Sequence, residues 1–435
     1  MQPSPLASYN RLWSVLQPVA KLHLHLRSWR GREDKSRLSE RYGKSNTPRP
    51  KGQLFWLHAV SVGESVAALT LAASLREIRP DLNILITTNT ITAAERIAAQ
   101  KDPALYHAYQ PLDHPQWVAT FLRHWQPDYA VMLESDFWPN LITCTAAQNI
   151  PICFASSQLS DKAFQAWQKR PELAQAIFTA AQDIFAVDSQ QAEKFSQLAG
   201  SGQARPTIHI GGSLKLNPAS LTINDTLVDM FKKAANKRPV VVAASTHKGE
   251  ESLIAEASRI AREKGFPHFL IIAPRHRERG SDIAASLNGA GQRSKAISPH
   301  PADDIYICDS LGEMGSLYTA ADIIILGGTF ADLGGHNPLE IALFETPVLA
   351  GPSRFKNTRA FDQLTQAGLI EQADDGDMLG TALAAKLSKL KKNRALISDT
   401  DRKQIAAIAA EACSRAANTA NYLLDTLSEN TSSNT

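Results

Sequence analysis

Gly327–Phe344 reads GGTFADLGGHNPLEIALF, and it sets how the rest of the chain is read. The apolar run Ile323–Leu326 enters it as a buried strand does. Two glycine pairs, Gly327–Gly328 and Gly334–Gly335, allow a tight turn and close backbone approach to a ligand. The letters NPLE then spell a helix start. Asn337 suits the cap, Pro338 the first helical position, and Glu340 the acid of a capping box. A glycine turn feeding a helix N-terminus offers free N–H groups and a positive dipole end, a natural seat for phosphate. Two uses stay open: a phosphate cradle with Leu339 at its helix start, or a capped αβ turn in which Glu340 serves its own helix.

Around this stretch, apolar strands alternate with helical periods. RPVVVAAST, FPHFLIIAPR, DIYICDS, DIIILGGT and TPVLAGP are each followed by a helical segment. Upstream, QLFWLHAV, NILITTN, YAVMLES, IPICFAS and DIFAVDS alternate in the same way. Such alternation predicts α/β architecture with parallel sheets covered on both faces. The 435 residues suffice for two cores, since single cores stop growing near ~250–300 residues. The expected division is an arm and tether over 1–52, a doubly wound domain over 53–215, and a linker over 216–236. A second doubly wound domain follows over 237–400, then a helix and disordered tail over 401–435.

No apolar run reaches the ~18 residues of a spanning helix, and no secretory signal is read at the N-terminus. Cys144, Cys153, Cys308 and Cys413 lie far apart, as buried thiols of a reducing compartment do. Residues 1–51 carry a net charge of +8 and the remainder −5. Nucleic acid is therefore not the expected partner, because the basic excess is confined to the arm. Within the arm, Trp13, Leu16, Val19, Leu22, Leu26 and Trp29 recur at helical spacing, with Arg11, Lys21, Arg27 and Arg30 between them. That pattern suits an anionic membrane surface. Pro18 is expected to kink or interrupt the helix.

Ligands in open α/β sheets gather at the carboxyl ends of strands. Glu64 follows the first strand at a helix start, where negative charge is favoured, and can take a proton from a hydroxyl. It also fits a plain helix-capping role. His58, just before that turn, reads as a hydrogen-bonded neighbour. Glu134 and Asp136, in ESDFWPN, follow another strand, and Phe137–Trp138 can close the domain. Lys215 in GGSLK, the hydroxyls of STHKGEE, Arg275, His276 and Arg279 in PRHRER, and the turn DSLGEMGSLY add cationic or glycine-rich corners. Arginine forks match phosphate or carboxylate oxygens. Several such corners in one domain point to a phosphate-bearing ligand held without a DxD-type metal site.

HAVSVGES, ESDFWPN, GGSLK, ASTHKGEE, PRHRER, DSLGEM and GGHNPLE, in this order, resemble the 3-deoxy-D-manno-octulosonic acid (Kdo) transferases. The resemblance implies a GT-B-like fold, two Rossmann-like doubly wound domains facing across a cleft. It implies transfer of Kdo from CMP-Kdo to lipid A precursor at the cytoplasmic face of the inner membrane, with no metal and no cofactor. It makes Glu64 the general base and gives Glu134 and Lys215 the transition state. It places CMP on Pro274, Arg275, Gly312, Glu313, Met314, Asn337, Pro338, Leu339 and Glu340. Two departures stand out. SSQLS puts Gln158 where the family commonly has the arginine of NARLS, which is expected to alter acceptor or sugar contacts. ESDFWPN replaces ETELWPN, shortening an acid to Asp136. Other GT-B enzymes, such as UDP-sugar transferases and 2-epimerases, share the fold but not this motif set. A dinucleotide oxidoreductase would need G-x-G-x-x-G after the first strand, which HAVSVGES lacks. A non-catalytic nucleotide sensor is opposed only by the retained Glu64 and Lys215.

Overall fold

The computed structural model describes residues 5–202, 205–216 and 221–432. The chain forms two compact units, Met1–Asn217 with Ser414–Thr435, and Pro218–Cys413. In the first unit the strands are β1 Leu54–His58, β2 Asn83–Thr88, β3 Leu105–Tyr109, β4 Tyr129–Leu133, β5 Ile152–Ser157, β6 Asp183–Ala186 and β7 Thr207–Ile210. They lie in the order β3-β2-β1-β4-β5-β6-β7. All of their pairings are parallel, with Trp56 opposite Leu85 on one side and Ala130 on the other. In the second unit they are β8 Val240–Thr246, β9 Phe269–Pro274, β10 Gly291–Gln292, β11 Ile305–Ile307, β12 Ile323–Leu326, β13 Val348–Ala350 and β14 Ile370–Gln372. Their order is β10-β11-β9-β8-β12-β13-β14, again parallel throughout. Each sheet reverses its order beside its first strand, as doubly wound Rossmann-like sheets do. The expected fold class is therefore present in both units.

Period-two alternation divides each central strand between two cores. Leu54 and Trp56 face a cluster with Phe121, Trp125, Phe154 and Phe178. Phe55 and Leu57 face the other cluster, with Leu71, Ile84, Tyr129 and Val131. This second core is completed by the end of the helix Asp399–Ser432, through Ala416, Ala420, Leu423, Leu424 and Leu427. Tyr422 on the same helix donates to buried Asp183 at 2.7 Å. The expected disordered terminus is thus helical through Ser432, and the polar letters from Thr426 onward conceal this packing; 433–435 lie outside the described residues.

Two other expectations are corrected. The tether over 31–52 is folded onto the first unit. Arg41 is buried, donating through Nε to Glu33 at 3.0 Å, through Nη1 to the Gln110 carbonyl at 3.0 Å, and through Nη2 to the Asn89 carbonyl at 2.8 Å. Buried Glu40 accepts from Tyr109 N–H at 2.7 Å. A side chain on Gly43, at φ 75°, would put Cβ 2.1 Å from the Trp117 carbonyl oxygen. Ion pairs and carbonyls satisfy these charges, so a polar run need not be solvated. The linker over 216–236 contains the helix Asp225–Ala235, capped by Asn224 and burying Phe231.

The arm is one helix, Ala7–Trp29, with Pro18 inside it. One side docks on the first unit. Tyr9 donates to Asp113 at 2.8 Å, Trp13 meets His114 and Trp117 edge-on, and Leu24 is buried. The other side leaves Leu12, Val15, Leu16, Val19, Leu22, Leu26 and Trp29 exposed, Val15 by 75% and Trp29 by 77%. Among the described residues no helix is long and apolar enough to cross a membrane.

Candidate active site

In the first unit the candidate side chains converge at the carboxyl ends of β1, β4 and β5. The helix Val62–Ile78 begins with a full capping box. Ser61 Oγ accepts from Glu64 N–H at 3.4 Å, and Glu64 Oε2 accepts from the N–H groups of Val60 at 2.5 Å and Ser61 at 3.1 Å. Glu64 therefore does cap its helix, with one oxygen. Its Oε1 accepts no hydrogen bond among the described residues.

Glu134 directly follows β4 at φ 64°, a left-handed conformation costly to a non-glycine residue. Its buried carboxylate accepts through Oε2 from Lys215 Nζ at 2.7 Å and Gln158 Nε2 at 3.2 Å. Its Oε1 is buried without a partner. Burial pushes this carboxyl up, Lys215 opposes, and Glu64 adds to the rise. Gln158 thus acts on Glu134, which the sequence left unspecified. Asp136 is raised to about 6 by burial and then by the field of Glu64. A Cβ on Gly63 would lie 4.0 Å from Lys215 Cε, so the ammonium stem runs beside the Glu64 turn. Three carboxylates and one lysine thereby share a small space.

The neighbours are structural. His58 is fully buried, its Nδ1 2.8 Å from Thr87 Oγ1, and burial pushes its pKa down to about 3. That suits the neighbour's role expected for it. Phe137 joins Phe154, Phe178 and Phe195 in the core. Asp113 accepts from the N–H groups of Asn140 at 3.0 Å and Leu141 at 2.7 Å, capping the helix Pro139–Ala146 from outside.

In the second unit, Pro274 ends β9 and Arg275 follows it, exposed, with no side-chain hydrogen bond or ion pair among the described residues. Its charge lowers the Glu340 carboxyl, which burial raises by more. Glu340 forms no capping box. The helix is a single turn, Leu339–Ala342, capped by Pro338, which has no N–H for an acid to bond. Asn337 Oδ1 instead accepts from Leu339 N–H at 3.2 Å. The Glu340 carboxylate has no side-chain hydrogen bond or ion pair among the described residues. Gly312 turns at φ 82° before the helix Met314–Ala320, while Glu313 is held by Arg293 at 3.1 Å and by Cys308 and Ser310.

In the glycine loop the amides at and after the first glycine pair are already engaged. Buried Glu250 accepts from Gly328 N–H at 2.8 Å, Phe330 N–H at 2.9 Å, Ala331 N–H at 3.3 Å and His247 N–H at 2.8 Å. A carboxylate of the protein thus occupies the amides at and after the first glycine pair, while at the helix start Leu339 N–H goes to Asn337. Glu251 likewise takes Arg279 in a two-pronged pair at 2.8 and 3.0 Å, which removes Arg279 from the candidate cations. The sequence signal for both acids is the EE that follows STHKG.

A family model described as 3-deoxy-D-manno-octulosonic-acid transferase (kdotransferase) matches residues 36–217. Among solved structures, UDP-GlcNAc 2-epimerase from Neisseria meningitidis bound to UDP-GlcNAc is similar with TM-score 0.58 at 13% identity, covering 87% of this chain and 100% of that one. A glycosyltransferase from Rickettsia africae is similar with TM-score 0.58 at 12% identity, covering 87% and 99%. At these identities the likeness shows the fold, which is GT-B-like. The 3-deoxy-D-manno-octulosonic acid transferase of Haemophilus influenzae is 32% identical over 392 residues, 87% of this chain and 90% of that one. Identity at that level along nearly all of both chains shows common descent, and the chain belongs to the 3-deoxy-D-manno-octulosonic acid transferase family of glycosyltransferases.

Proposed function

We propose that the protein transfers Kdo from CMP-Kdo to the lipid A precursor lipid IVA, with inversion at the anomeric carbon and without a metal. The observation that carries this reading is the Lys215–Glu134 pair beside the Glu64 turn. It places one carboxylate oxygen without a partner next to a fixed positive charge. Glu64 Oε1 takes the proton of the acceptor hydroxyl, while its Oε2 stays on the helix amides and fixes the group's direction. The hydroxyl oxygen attacks the anomeric carbon from the face opposite the departing nucleotide. Charge grows on the leaving phosphate, and Arg275 and Lys215 are the side-chain cations proposed to meet it. Glu340, unused by its helix, holds ribose hydroxyls. With the donor in the second unit and the acceptor in the first, the reading requires domain closure during turnover.

The test is a transfer assay with CMP-Kdo made in situ and tetra-acylated lipid A precursor, with EDTA present. We expect product at an undiminished rate, with the opposite anomeric configuration to the donor, and its mass counts the sugars added. A rate restored only by added divalent metal would overturn the metal-free mechanism.

The exposed side of the helix Ala7–Trp29 supports an anionic membrane, the cytoplasmic face of the inner membrane, as the enzyme's seat. An apolar stripe with arginine and lysine on the same helix lies flat in such an interface. The double variant Val15→Asp, Trp29→Asp should lose at least roughly tenfold in affinity for vesicles containing anionic lipid. Its transfer to a detergent-dispersed acceptor should stay near wild type. Equal vesicle binding would remove this stripe from membrane contact.

A further inference from the structure

The second sheet reverses its order between β8 and β12, and the crevice beyond the carboxyl ends of such a pair is where open α/β sheets take ligands. His247 is the first residue after β8, and His336 lies in the loop that follows β12. Their Nε2 atoms are 2.9 Å apart, with ring centroids at 5.1 Å and planes within 8°. The centroid separation exceeds the nitrogen separation by about one ring's width, so the rings lie end to end in nearly one plane. That is the geometry of an N–H···N hydrogen bond and not of a face-to-face stack.

The site is built for this contact. Gly328, at φ 72°, leaves room for the His336 ring, whose Nε2 would be 3.2 Å from a Cβ there. The Ser245 backbone raises the proton affinity of the His336 ring. In the neutral pair one Nε2 carries the N–H and the other accepts it. One added proton gives the pair a full charge. Burial lowers the pKa of both rings, that of His336 to about 4, with Arg275, His247 and Lys356 contributing. Arg275 and Lys356 present positive charge to the pair, and the His276 ring, 5.7 Å from that of His247, faces Glu278 at 3.4 Å. Glu250 and Glu251 present negative charge, but Glu250 is engaged by four amides and Glu251 by Arg279 and Thr246. The surroundings therefore favour an arriving anion, and an anion reverses the field that keeps the rings neutral.

We propose that the His247–His336 pair, with Arg275 beside it, receives the phosphate of the donor nucleotide and gives it a proton as the sugar–phosphate bond breaks. The proposal rests on the CMP-sugar reading above. The bond from the anomeric carbon to the phosphate oxygen breaks, and its electron pair goes to that oxygen. The phosphodiester monoanion becomes a monoester, which takes the added proton of the histidine pair. The acceptor oxygen forms the new bond to the anomeric carbon, and its proton goes to Glu64. Solvent reprotonates the pair before the next turnover.

The test is calorimetric binding of CMP and of cytidine to the full chain, in buffers of different ionisation enthalpy, for wild type, His247→Asn and His336→Asn. In wild type, CMP should bind at least about tenfold tighter than cytidine and take up more protons than free CMP accounts for. In both variants that ratio should collapse towards unity and the extra uptake vanish, while cytidine affinity stays unchanged. Turnover should fall by roughly 10²-fold. An unchanged CMP-to-cytidine ratio in a variant that still binds cytidine overturns the proposal. Should His247→Asn lose cytidine as well, His336→Asn decides by the same ratio. Binding of neither ligand to wild type would overturn the CMP-donor reading, and this inference with it.

Discussion

Glu64→Gln should slow Kdo transfer by roughly 10²–10⁴-fold, the usual contribution of a positioned general base, while CMP affinity and melting temperature hold at wild-type values. Glutamine serves a capping box as well as glutamate does, so the amide keeps the bonds from Val60 and Ser61 and removes only the basic oxygen. Glu64→Ala removes both functions and should also lose about 1 kcal/mol of stability. Transfer by Glu64→Gln within about threefold of wild type, too small a loss for a missing base, would leave Glu64 as a cap and nothing more. The glutamine variant is the more informative, because loss of activity in the alanine variant has two causes.

Lys215→Met should destabilise the first unit and make its stability strongly dependent on pH. Glu134 is 4% exposed and Lys215 37%. Removing one partner of a fully buried pair costs about 3–5 kcal/mol. Solvent reaches the lysine side here, so about 2 kcal/mol near neutral pH is the expected loss. That corresponds to roughly 4–8 °C in Tm for a unit of this size. The sign follows from Glu134, whose folded-state pKa already lies above its ordinary value through burial. The folded state holds this proton more tightly than the unfolded chain, so stability falls as pH rises from the ordinary glutamate range through the folded value. Without Lys215 that value rises further. The gap between variant and wild type should be small near pH ~4 and full by pH ~8. Adding Glu134→Gln should restore most of the loss by removing the stranded charge. Thermal unfolding across pH checks this. A gap independent of pH, or no rescue by the second substitution, would show that the pair does not carry the stability.

The central strands were legible because burial on both faces writes continuous apolar runs. The strands that went unread are β3, β7, β10 and β14, and these are the four sheet edges. Edge strands face solvent along one side, so TIHI and IEQ are mostly exposed or half-buried and carry no run to find. Ser61–Glu64 and Asn337–Glu340 show the same limit at the site. Both have the capping-box spacing, yet only the first forms the box, because the second helix is one turn long and begins on a proline. Spacing encodes the option, and helix length and cap position decide it. Arg41 and Glu40 read as tether residues because composition cannot distinguish a solvated charge from one bonded to distant backbone, carbonyls for Arg41 and an amide for Glu40. The histidine pair spans 89 residues and becomes visible only once the strand order is known.

The helix Asp399–Ser432 has a consequence for how the protein is made. The N-terminal unit is not contiguous in the chain, and one wall of its second core comes from residues beyond Ser414. While the intervening unit is being synthesised, that apolar sheet face has the helix Val62–Ile78 on it but lacks the cover supplied by Ala416, Ala420, Leu423, Leu424 and Leu427. Folding from the N-terminus as the chain emerges can therefore yield only a provisional first unit, whose partly uncovered face is open to chaperones or to association with other nascent chains. Loss of residues from Ser414 onward would leave the Glu64 and Glu134 turns intact in sequence but mounted on a sheet lacking one of its packing partners.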